Sequence, residues 1–136
     1  MLVNVGYHGT NRPRGKQILK KKKMQISIGD DHYLGDGSYF FDDSFFSYKW
    51  CVDMFLNKYR EITLTDEALA KYYLILQADI NVEKDRVFDL TRTSIKAHYD
   101  VAYRSFLKKN KDSNRYKDKV ISEGVVINYL FNTLNY

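Results

Sequence analysis

Two short segments hold residue types that could do chemistry together: Tyr7-His8-Gly9-Thr10 and, about thirty residues on, Leu34-Gly35-Asp36-Gly37-Ser38-Tyr39-Phe40-Phe41. Glycine at position 9 would let a ligand amide come up to the main chain, where one N–H and one C=O read it as a donor–acceptor pair. His8 can give one ring hydrogen bond to a ribose hydroxyl while the fold holds its other nitrogen, and Tyr39 can lay its ring on a planar base. Gly35 and Gly37 bracket the aromatic run and leave room for a flat, charged heterocycle against exposed backbone. Together these residues outline a nucleotide site. The alternative for His8 is a core histidine satisfying local backbone, and for Tyr39 and Trp50 core aromatics.

The elements that would position them can be read from pattern. The run 37–41 reads as a strand, and Asp43 to Lys58 reads as an amphipathic helix with Phe46, Trp50 and Met54 four apart. Trp50, eleven residues after Tyr39, could return to face it across a ring-sized gap. A cationic nicotinamide between the two rings would gain on the order of 1 to 2 kcal/mol per face. Elsewhere the pattern predicts strand 3–8, helix 13–22 with Pro13 in its first turn, a turn at Gly29-Asp30-Asp31, and a short helix opened by Thr65-Asp66-Glu67. Strands 73–80 and 86–89, helix 93–109, strand 124–128 and a helix from Tyr129 follow. Strands and helices alternate with no internal repeat, which predicts a single α+β domain over residues 1–136.

The order and spacing of these motifs resemble the ADP-ribosyltransferase superfamily on its diphtheria-toxin and poly(ADP-ribose) polymerase side, over roughly residues 5 to 90. His8 in Tyr-His-Gly-Thr fits the first motif of that family, and Tyr39 in Leu-Gly-Asp-Gly-Ser-Tyr-Phe-Phe fits the second. Ser47, Trp50 and Cys51 resemble the following helix, in which a small hydroxyl residue contacts the carboxamide and a second aromatic, here Trp rather than the more usual Tyr, closes the sandwich. The segment 72–80 resembles the next strand. The resemblance implies a split mixed β-sheet core with flanking helices and NAD as co-substrate without a metal. It also implies catalytic roles for His8, Tyr39 and a glutamate, with Gly9, Thr10, Gly37, Ser47 and Trp50 holding NAD. Glu123, opening the apolar run Gly124-Val125-Val126-Ile127, is the candidate glutamate. Thirteen residues follow it, so the chain is expected to lack the family's last strand or strands.

Composition bounds the alternatives. A length of 136 residues with 44% hydrophobic content suits one soluble globular domain, and twelve Tyr with eight Phe make the core aromatic. The single cysteine, Cys51, excludes an internal disulfide and a cysteine–zinc cluster, and it reads as helix packing. The lone cysteine suits a reducing, cytoplasmic setting, secretion by a dedicated machine staying open. No apolar segment approaches the ~20 residues of a membrane span, so no membrane partner is expected. Asp30, Asp31 and His32 lie too close together on one turn to complete a metal shell. His98 falls in a helical pattern and reads as surface.

Net charge is +5, and Arg12, Arg14, Lys16 and Lys20 to Lys23 supply much of the excess. They read either as a phosphate-facing patch, for the NAD pyrophosphate or a nucleic-acid acceptor, or as a solvated helix face. A second basic stretch, Lys108 to Lys119, reads as an exposed loop or helix end. The function expected is transfer of ADP-ribose to a protein or nucleic-acid acceptor, with toxin-like, defence and housekeeping roles left open, as is a neutralising partner. The alternatives are a catalytically silent NAD or ADP-ribose binder and a basic nucleic-acid-binding module.

Overall fold

The computed structural model describes residues 2–117 and 120–133, Leu2 and Val3 by backbone alone. The chain forms two compact units, residues 1–25 with 39–86, and residues 26–38 with 87–136.

The first unit is built on a two-stranded antiparallel sheet, β1 (Leu2–Asn11) and β2 (Tyr73–Val82), paired along their whole length with His8 opposite Leu76 and Gly9 opposite Ile75. Helix α1 (Arg12–Lys21) follows β1 at once. The Asn11 side chain caps it by accepting from the Arg14 amide at 2.9 Å, and Pro13 occupies the first turn, where its missing N–H costs nothing. Helix α2 (Ser44–Lys58) is capped by Asp43, and the short α3 (Asp66–Tyr72) by Thr65. Cys51, Phe55, Leu69 and Tyr73 form the core between α2, α3 and β2. Phe55 is fully buried, worth on the order of 2 kcal/mol relative to exposure. A single 3-10 turn over Lys84–Arg86 ends this unit.

The second unit is helical. Helices α4 (Thr93–Lys109) and α5 (Glu123–Thr133) pack through Ala102 and Phe106 on one side and Val126 and Leu130 on the other, each pair four apart and so on one face. Gly124 is required at the start of α5, since a Cβ there would collide with the main-chain carbonyl of His32. Asp30 pairs with Arg115 at 2.7 Å. Among the described residues no group of three or more His, Cys, Asp or Glu side chains could hold a metal, and no helix is long and apolar enough to cross a membrane.

The architecture is α+β, with three corrections to the pattern reading. The run 37–41 is not a strand: it makes two isolated bridges, Gly37 to Ser27 within the second unit and Phe41 to Tyr7 within the first. No strand forms at 86–89, where the 3-10 turn gives way to a side-chain turn in which Asp89 accepts from the Thr91 amide and hydroxyl. The run 124–128 is helix: Gly124, Val125, Val126 and Ile127 are all buried, and a short apolar run buried on every side has no periodicity that tells a helix from a strand. Asp118 and Lys119 of the second basic stretch lie outside the described residues.

Candidate functional site

His8 lies on β1 and is half-buried. Its Nδ1 sits 2.7 Å from the main-chain carbonyl of Tyr39, and a carbonyl can only accept, so Nδ1 carries the hydrogen. In the neutral ring Nε2 is then a bare acceptor. The Phe40 ring lies 5.9 Å away, tilted by 56°, and shields the imidazole on one side.

The same edge of β1 carries the main-chain groups of Gly9, which is itself buried. Tyr7 exchanges both of its main-chain hydrogen bonds with Phe41, at 2.8 Å each, so its N–H and C=O point away from β2. Strand alternation turns the Gly9 N–H and C=O to that same outer edge, two residues beyond the bridge. A donor and an acceptor side by side on the strand edge turned away from β2 can read a primary carboxamide.

Helix α2 crosses directly over Gly9. A Cβ there would lie 2.9 Å from Cys51 Sγ and 3.0 Å from both the Ser47 carbonyl and Trp50 Cε3, so glycine is required by the approach of the helix. Three residues that the sequence singled out, Ser47, Trp50 and Cys51, thus meet Gly9 at one point. Ser47 is wholly buried, and its Oγ has no hydrogen-bond partner among the described residues. A buried hydroxyl in that state costs roughly 1 to 3 kcal/mol, which makes it a position that a polar ligand atom would relieve. Trp50 lies edge-on to Tyr73 at 6.3 Å. Burial pushes the Cys51 thiol up to about 11, against a lowering backbone hydrogen bond from Thr10, so it is a neutral packing group and not a thiolate nucleophile. Thr10 is buried on β1.

The other residues that the sequence proposed are placed differently. Tyr39 is half-buried and contributes its carbonyl to His8. Gly37 and Glu123 belong to the second unit. Glu123 is the exposed first residue of α5 rather than the lead-in to a strand. After burial, its carboxylate is the next largest influence that raises the Tyr99 phenol to about 12.

A feature that pattern reading missed lies at the far end of β1. Arg12, Lys16, Lys58 and Lys71 line a cavity of about 610 Å³ together with Tyr59 and Tyr72. Only Arg12 and Lys16 belong to the basic run visible in the sequence; the others come from the ends of α2 and α3.

The chain is 34% identical over 125 residues to an uncharacterized protein of Methanocaldococcus jannaschii. The match covers 92% of this chain and 55% of that protein, so the chain spans about half the length of its relative. No family model and no solved structure matches it.

Proposed function

We propose that the chain is the NAD-binding part of a mono-ADP-ribosyltransferase with an ADP-ribosyltransferase-like fold. One observation carries the reading: the N–H and C=O of Gly9 are turned away from β2, and the turn of α2 that carries the buried, unpartnered Ser47 hydroxyl packs against the same residue. That donor set fits a carboxamide, which needs one acceptor, one donor and a further polar contact. In this reading Gly9 and Ser47 hold the nicotinamide amide, Trp50 and Tyr39 flank the ring, and His8 Nε2 takes a ribose hydroxyl while Tyr39 holds Nδ1.

The reaction breaks the bond between the ribose anomeric carbon and the nicotinamide nitrogen, and the electron pair leaves on nicotinamide. An acceptor nucleophile then bonds to the carbon and loses its proton. Orientation of the leaving ring supplies part of the acceleration, since a fixed geometry spares the entropy of alignment. A carboxylate beside the developing positive charge supplies more. Glu123 is the residue proposed for that role.

A second reading, NAD binding without turnover, is favoured by Glu123 being the exposed first residue of a helix rather than the lead-in to a strand. Labelled NAD incubated with wild type and Glu123→Gln separates the two. Nicotinamide release by wild type that falls about 100-fold in the variant, with NAD affinity kept, supports the transferase and its carboxylate. Release unchanged in the variant removes Glu123 from the mechanism. Tight binding with no release by wild type selects the silent binder.

A further inference from the structure

We infer that the cavity at the end of β1 is a binding site for single-stranded nucleic acid, which makes nucleic acid the acceptor class. This rests on the transferase reading only for the word acceptor; the site itself is argued from its own residues. Four cations line it, Arg12, Lys16, Lys58 and Lys71, and no carboxylate does. The ion pairs among the described residues, Lys49 with Asp53, Arg92 with Asp89 and Arg115 with Asp30, involve none of the four. Arg12 is held in place by the Ala70 carbonyl at 2.7 Å and the Tyr73 carbonyl at 3.4 Å, which leaves its charge uncancelled. Uncompensated cations gathered around a concavity attract a polyanion.

The aromatic pair says which polyanion. Tyr59 and Tyr72 stack at 4.1 Å with 24° between their planes, and Lys58 and Lys71 each stand 5.4 Å from the ring of the tyrosine next to it in sequence. A cationic track beside aromatic faces is how proteins hold unpaired bases, the phosphates against the charges and a base against a ring. Two features favour a strand over a free dinucleotide. A dinucleotide brings one pyrophosphate, whose charge half of these cations would balance. The charge also continues out of the cavity: Lys20 follows Lys16 by one helical turn on the same side of α1, and both are exposed. A chain of phosphates can occupy that step, and the single pyrophosphate of a dinucleotide cannot.

The test is fluorescence anisotropy of an end-labelled 20-mer oligothymidylate with the whole chain, without NAD and over a range of salt. Wild type is set beside Lys58→Gln/Lys71→Gln and beside Lys108→Gln/Lys109→Gln, which removes the same charge from the end of α4. The site predicts a loss of about tenfold for the first variant and a salt slope shallower by ~1.4, as expected for two lost phosphate contacts, with the second variant within about twofold of wild type. Equal losses in both variants would mean diffuse attraction and overturn the site. No binding by wild type would overturn it too. Because the titration contains no NAD, it succeeds or fails independently of the transferase reading, which nicotinamide release tests by itself.

Discussion

His8 Nδ1 donates to the main-chain carbonyl of Tyr39 at 2.7 Å, across thirty-one positions of sequence. The bond fixes the imidazole as the Nδ1–H tautomer, whereas free histidine favours hydrogen on Nε2, so long-range proton–nitrogen spectra at neutral to mildly alkaline pH should find Nδ1 protonated and Nε2 bare. Since the acceptor is backbone, Tyr39→Phe should leave the tautomer unchanged. An Nε2–H ring in wild type would mean that this contact does not persist in solution.

Gly9 and Gly37, both read from the sequence as glycines that hold NAD, should respond oppositely to a methyl group. Gly9→Ala drives a Cβ into Cys51 Sγ, the Ser47 carbonyl and Trp50 and should lose roughly 1 to 3 kcal/mol in urea unfolding. Gly37 has no atom within 4 Å of the same position and an ordinary backbone, so Gly37→Ala should stay within ~0.5 kcal/mol of wild type. Equal costs at the two sites would place α2 wrongly.

Ser47→Ala should separate stability from binding. Deleting a buried hydroxyl that has no partner removes a desolvation cost, so the variant should be as stable as wild type or up to ~1 kcal/mol more so. NAD affinity should fall by about tenfold if that hydroxyl meets the carboxamide. A variant that loses stability and keeps affinity would assign Ser47 a purely structural partner.

Cys51 gives the unit a dependence on alkaline pH. Its thiol titrates at about 11 when folded against an ordinary value of 9.0, so the unfolded chain releases the proton first. The stabilisation is complete below pH 9 and is lost as pH rises through about 11, an upper limit of ~3 kcal/mol for two units. Cys51→Ala should flatten this fall in a series of denaturant midpoints between pH 8 and 11, and an equally steep fall in the variant would assign it to the tyrosines.

Much of the fold was legible because local signals agreed with burial. Helix α4 carries the 93–109 pattern unaltered, and Thr65, Pro13 and the Asp43 cap announce three helix starts by their own hydrogen-bonding chemistry. The failure at 124–128 came from β-branched residues whose periodicity is hidden when every side is buried. At 37–41 the aromatic content suggested a strand, but only Phe41 finds a partner on β1. Within the site, motif order pointed to His8, Gly9 and Ser47, whose closeness depends on α2 crossing β1. Lys58, Lys71, Tyr59 and Tyr72 gave no signal, since residues at the ends of two helices become one cavity only after folding.

The most direct measurement is nicotinamide release from ring-labelled NAD by the purified chain beside His8→Ala, with circular dichroism confirming that both are folded. The account predicts release by wild type and a loss of about 100-fold or more in the variant, in proportion to the ribose contact and ring orientation removed. Equal release by the two folded proteins would contradict the proposed site.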